Sequence, residues 1–115
     1  MKAIFIDAVN RKVEEVQVEN ELHAFYEKIG CDMIEIIHLG GEHLMVVDEE
    51  GKLKENKGGF TFLGWGTVIA GTGIVLGGNS SKLKALQEKL ASFEMMTEWV
   101  DAAEVPPPHA FVTAF

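Results

Sequence analysis

Residues 58–78 read GGFTFLGWGTVIAGTGIVLGG, and this stretch holds eight of the chain's twelve glycines beside its longest apolar run. The segment divides at Thr67. In residues 67–76, Val68, Ile69, Ile74, Val75 and Leu76 are β-formers with apolar character on both faces, which predicts a central strand covered on each side. Gly71 and Gly73 interrupt it, and glycine inside a strand marks a bulge or a close approach of a ligand or another backbone. Residues 58–66 place four glycines around Phe60, Phe62, Leu63 and Trp65. That is the composition of a flexible loop carrying apolar anchors, suited to closing over a pocket or capping a core.

Working outward, residues 2–7 are apolar on both faces and predict an interior strand. A polar turn in which Asn10 can hydrogen-bond locally leads to a second strand at residues 12–18, with Val16 and Val18 inward and Glu15 and Gln17 outward. Val13 is out of phase with them, which suggests a bulge near Glu14. Residues 20–29 read as a helix: Asn20 is an N-cap type, Leu22, Phe25, Tyr26 and Ile29 form a stripe, and Gly30 supplies the stop. Residues 33–39 and 42–47 form a hairpin around Gly40 and Gly41, followed by a tight turn over residues 48–51.

Beyond the glycine-rich stretch, Asn79, Ser80 and Ser81 offer N-caps for a helix over residues 82–93, with Leu83, Leu86, Leu90 and Phe93 as its stripe. Residues 94–100 fit a helix extension or a strand, and we read residues 96–100 as a strand. Three consecutive prolines, Pro106 to Pro108, then start an extended, proline-led segment spanning residues 105–115. Its apolar end adds a strand to its own sheet or to a neighbour's. The whole reads as a single α+β domain with a mainly antiparallel sheet and two helices packed on it.

The chain has 115 residues, enough for one domain to bury a core without metals or disulfides, and its lone cysteine, Cys31, fits a reducing compartment. No signal peptide or span-length apolar run is visible, so the expectation is a soluble, cytoplasmic protein without a membrane partner. The net charge of −8 resides in residues 1–50, because residues 51–115 balance to zero. With one arginine and no basic patch, direct nucleic-acid binding is not expected. The acidic half is either a solvated face or a surface that imitates nucleic acid and meets a basic factor.

The sequence GTGIVLG at residues 71–77 has the outline of a dinucleotide fingerprint, but its last glycine falls one residue late and inside the strand. Gly73 and Gly78 have P-loop spacing, yet Asn79 stands where the lysine is required. What survives is a helix start at which Asn79, Ser80 and Lys82 hold a phosphate or carboxylate, set against the ordinary reading of the same residues as caps. His38 and His43 face each other across the Gly40–Gly41 turn in this reading, but two histidines without a third fixed ligand do not define a metal site, and none is assigned. No cofactor is called for. Phe60, Phe62, Trp65 and Trp99 line a pocket for a planar ligand or fill the core, and Trp65, between two glycines, is the one expected to reach a partner.

MKAIFID (1–7), NRKVEEVQV (10–18), the turn DEEGKL (48–53) with Asn56 after it, and VIAGTGIVL (68–76) together resemble a domain-of-unknown-function family of small acidic proteins from bacteriophages, plasmids and bacteria. The resemblance covers about residues 1–80 and implies no reaction and no catalytic residue. It implies a mobile-element accessory protein acting in the host cytoplasm, with Asp48, Glu50, Gly51, Asn56 and Gly71 as the matching positions best placed for a shared role. Residues 58–66 and the proline-rich tail depart from the family pattern.

These readings combine into an expected non-enzymatic binding protein of a mobile element, directed at a small host molecule or a host protein. Its expected ligand-binding residues are Trp65, Phe62, Asn56, Gly71, Asn79, Ser80 and Lys82, and its default assembly is a homodimer or higher homo-oligomer. The alternative is an acidic protein-interaction module that uses residues 14–50.

Overall fold

Ala3 and Phe5 lie on one face of strand β1 (Lys2–Asp7) and Ile4 and Ile6 on the other, and all four are buried. A strand that is apolar on both faces must be covered on both. The computed structural model, which describes residues 1–31, 33–50, 58–79 and 82–105, shows how. After β1 come β2 (Lys12–Gln17), α1 (Leu22–Ile29), β3 (Ile34–Gly40), β4 (His43–Asp48), β5 (Gly59–Phe62), β6 (Ile69–Ala70), β7 (Thr72–Asn79), β8 (Lys82–Lys84), α2 (Leu90–Met96) and β9 (Thr97–Val100).

Six strands form the main sheet in the order β2-β1-β7-β4-β3, with β8 attached to β7, and a small sheet runs β6-β5-β9. Every pairing is antiparallel. One face of the main sheet, with Ala3, Phe5, Leu44, Val46, Ile74 and Leu76, packs against Phe25 of α1. The opposite face, with Ile4, Ile6, Met45, Val47 and Val75, packs against Phe60 and Phe62 of the small sheet, Leu86, and Phe93 of α2. The chain is therefore a single α+β domain in which α1, the main sheet and the small sheet with α2 form successive layers. Burying each large apolar side chain between them stabilises the fold by about 1.5–3 kcal/mol. No helix among the described residues is long and apolar enough to cross a membrane.

The first hairpin shows how local chemistry fixes register. The Asp7 carboxylate accepts hydrogen bonds from the backbone N–H groups of Val9 (3.0 Å) and Asn10 (3.1 Å) and from the Asn10 side-chain amide (2.8 Å). Asp7 is thus the turn's acceptor and Asn10 a donor to it. The expected bulge near Glu14 is absent: register runs unbroken from Lys2↔Gln17 to Asp7↔Lys12. Val13 is out of phase with Val16 because it packs on the opposite face, which is also covered. Helix α1 ends at Gly30, whose N–H donates to the Tyr26 carbonyl at 2.8 Å, as the sequence suggests. Its N-cap is Glu21 rather than Asn20, with no side-chain cap bond, and Leu22 is exposed, so the stripe rests on Phe25.

The glycine-rich stretch differs most from its sequence reading. Residues 58–66 are not all loop, because Gly59–Phe62 is β5, and residues 67–76 are not one strand. Gly71, at φ +81°, turns the chain from β6 in the small sheet to β7 in the main one. Its N–H donates to the Gly58 carbonyl (2.9 Å) and its carbonyl accepts from Ala8 N–H (3.1 Å), so it ties the two sheets together.

A second correction concerns residues 82–93. Lys82–Lys84 is β8, a strand paired with β7 through Asn79↔Lys82 and Gly77↔Lys84, and α2 spans only Leu90–Met96. Leu83 packs on the α1 face of the main sheet and Leu86 on the other. A helix would put these two on one side. The strand expected at residues 96–100 is present as β9. Residues 106–115, in the proline-led segment, lie outside the described residues.

Candidate functional site

Strand β5 leads into a turn that folds its own aromatic residue back onto it. Phe62 is buried, and Trp65, whose N–H donates to the Phe62 carbonyl at 3.0 Å, brings its ring to 5.3 Å from the Phe62 ring at 34°. Phe93 of α2 meets Phe62 edge-on at 6.1 Å and 62°, and Phe60 lies 5.8 Å away on the inner side. Offset and edge-to-face arrangements at these distances are attractive and hold the rings in place. Leu63 N–H donates to the Met96 carbonyl at 2.9 Å, which fastens the turn to the end of α2. Trp65 is left half-buried and Leu63 61% exposed.

These rings form one side of an open groove of about 490 Å³. Leu39 of β3 and His43 of β4 reach it from the main sheet, and Glu88, from the segment before α2, stands at its polar end. His43 Nε2 lies 3.5 Å from Glu88 Oε1, with the two side chains about one-third and one-half exposed. The same pair borders a second cleft of about 420 Å³ that also takes in Glu42, Lys84 and Gln87. An aromatic slot and a polar cleft therefore adjoin at one His–Glu contact. Such a combination can hold a flat ring by stacking and orient it through hydrogen bonds at one edge.

Of the residues expected to bind a ligand, Phe62 and Trp65 are brought together here. Gly71 is not; it is the joint between the sheets. Asn79 and Lys82 close the β7–β8 hairpin, with Lys82 N–H donating to Asn79 Oδ1 at 3.0 Å. No helix begins there, so the argument for an anion held at a helix start is lost. Ser80 and Asn56 lie outside the described residues, as does Gly51 of the expected turn. Asp48 does form that turn's start, accepting from Glu50 N–H at 2.9 Å.

His38 and His43 do not face each other. His38 pairs across from Leu44 and His43 across from Gly40, because the register shifts between His38 and Gly40. Among the described residues no group of three or more His, Cys, Asp or Glu side chains is placed to hold a metal ion. Sequence reasoning missed Leu39, Glu88 and Met96 as groove residues and placed Phe93 only on a helix stripe. His43 and Glu88 are far apart in the chain, and no local pattern announces their contact.

The model of a domain of unknown function, DUF3846, matches residues 1–99. The chain belongs to that family. The DUF3846 match extends beyond the first 80 residues and encloses Phe62, Trp65, Phe93, His43 and Glu88, so the whole groove is built within the family domain. No curated protein and no solved structure matches the chain.

Proposed function

We propose that this DUF3846 protein is a binding module rather than a catalyst, and that the groove between the β5 turn and α2 takes a small molecule through a flat ring. The observation that carries this reading is the half-buried Trp65, stacked on the buried Phe62 beside Phe93 at the wall of the groove. An apolar slot of this size lined by rings is the usual form of a small-molecule site. In the mobile-element setting that the resemblance implies, the ligand is a host molecule and the protein withholds it. A homodimer in the cytoplasm belongs to the same proposal.

The test is a native mass spectrum of protein purified gently from bacterial cells. Bound mass that is released on denaturation, and is missing from a folded Trp65→Ala variant, supports the reading. An unchanged adduct on that variant removes Trp65 from the site.

One observation favours a second reading. Every glutamate within residues 1–50 is exposed, including Glu14 and Glu15 on the edge strand β2. Such a surface suits a basic host protein. Binding carried by it weakens steeply with salt, whereas binding in the aromatic groove does not.

A further inference from the structure

The groove and the adjoining cleft differ in chemistry, and that difference narrows the ligand class. On one side of the His43–Glu88 contact the walls are Phe62, Trp65, Phe93 and Met96; on the other they are Glu42, Gln87 and Lys84. A purely apolar ligand would use the first and leave the second to water. A flat ring without a polar appendage would likewise engage only the aromatic side.

The polar side is rich in acceptors. The carboxylates of Glu42 and Glu88 are both solvent-accessible, and Glu88 has acceptor capacity beyond its 3.5 Å contact with His43. Carboxylates accept hydrogen bonds from paired sugar hydroxyls, the pairing by which acidic side chains hold ribose in dinucleotide sites. Phosphate meets the opposite situation. Among the described residues Lys84 is the one lysine or arginine lining either cavity, it shares its cleft with the carboxylates of Glu42 and Glu88, and the nearby Lys2 ammonium is engaged by the Glu88 carbonyl (3.2 Å) and Glu15 (3.5 Å), in a chain of net charge −8. A phosphorylated ligand would be repelled.

Resting on the groove reading above, we infer that the ligand is a nucleoside: a heteroaromatic base against Phe62 and Trp65, with its unphosphorylated sugar directed past His43 toward Glu88 and Glu42. Both halves are needed. The rings supply affinity, and the carboxylates select a hydroxylated, uncharged appendage over a phosphate.

The experiment is calorimetric titration of the full chain with adenosine, guanosine, cytidine and uridine, alongside indole as a ring without a sugar, the 5′-monophosphate of the best nucleoside, and its 2′,3′-dideoxy form. The expected result is that one or more nucleosides bind, and that the monophosphate and the dideoxy form each bind about tenfold more weakly. Trp65→Ala should weaken the nucleoside about tenfold or more. Glu88→Gln should erase the preference for the ribose over the dideoxy sugar while leaving indole binding unchanged, an outcome that a merely structural role for Glu88 would not produce. Indole binding that depends on Trp65, with no nucleoside bound, overturns the nucleoside assignment and leaves the groove reading intact. A monophosphate that binds more tightly than its nucleoside also overturns it. Failure of both indole and all nucleosides overturns both readings.

Discussion

Phe60 lies over Gly73: its Cζ is 3.1 Å from the point where a Cβ on that glycine would stand, and Met45 Sδ is 2.9 Å from the same point. The small sheet therefore meets the main sheet at a residue with no side chain. Phe60 is fully buried there and forms the inner neighbour of Phe62. The depth at which β5 sits, and with it the position of the aromatic turn, depends on this contact.

Replacing Gly73 with alanine should destabilise the fold by about 1–3 kcal/mol, because the methionine tail can move but the phenylalanine ring, packed on all sides, cannot do so freely. Chemical denaturation measures this directly. A denaturation midpoint equal to that of the parent would show that the close approach of the two sheets does not depend on the missing side chain at this position.

Gly71→Ala should cost about 1–2 kcal/mol for a different reason, since its φ of +81° disfavours any residue with a Cβ although no atom stands within 4 Å of one. The joint lies away from the groove, so ligand binding by the folded variant should be unchanged. Loss of bound mass in native spectra, with the fold retained, would restore Gly71 to the binding residues.

Asp7→Ala removes the acceptor for two backbone N–H groups and one side-chain amide at the β1–β2 turn. A loss of about 1–2 kcal/mol is expected, with Asp7→Asn retaining much of the stability because one acceptor oxygen remains. Thermal melts of the two variants separate these cases, and equal losses would mean that charge rather than acceptor geometry holds the turn.

Trp65→Ala should lower stability by only about 1 kcal/mol, since the ring is half-buried and loses chiefly its stack on Phe62. Its effect on ligand retention should be far larger. Near-ultraviolet circular dichroism, together with native mass spectrometry, reads the two quantities on one sample. A global loss of folding would reassign Trp65 to the core.

Lys82→Ala is expected to leave ligand retention unchanged, because Lys82 closes a hairpin rather than starting a helix. Reduced retention in the folded variant would reinstate the region around residues 79–82 as a site.

Much of the scaffold was legible because its signals are local. The double-faced apolar strand at residues 2–7, the hairpin around Gly40 and Gly41 and the glycine stop at residue 30 each follow from residues within a few positions of one another. Val13 was misread because alternation assumes that only one face carries apolar packing, and here Val13 packs partly buried on one face of the sheet and Val16 on the other. Leu83, Leu86, Leu90 and Phe93 fit helical spacing on paper. The first two nevertheless lie on opposite faces of the sheet, because pairing with β7 offered Lys82–Lys84 backbone hydrogen bonds that a solvent-facing helix turn would not have improved on.

The candidate site was legible by half. Trp65 and Phe62 stood out as large apolar residues among glycines, a composition that signals an unusual turn wherever it occurs. Glu88, Leu39 and Met96 carried no such mark, since each is unremarkable in its own neighbourhood, and His43 drew notice only as a partner of His38, which it does not face. By itself the sequence determined the antiparallel α+β character, the strands that must be interior and the aromatic turn, because hydrophobic periodicity and turn chemistry act over short separations. Only the tertiary structure decided that Gly71 divides one apolar run between two sheets, that Lys82–Lys84 is a strand, and that a histidine and a glutamate 45 positions apart close the groove. Those outcomes depend on which faces are left to be covered once the sheets have met, and no local pattern contains that information.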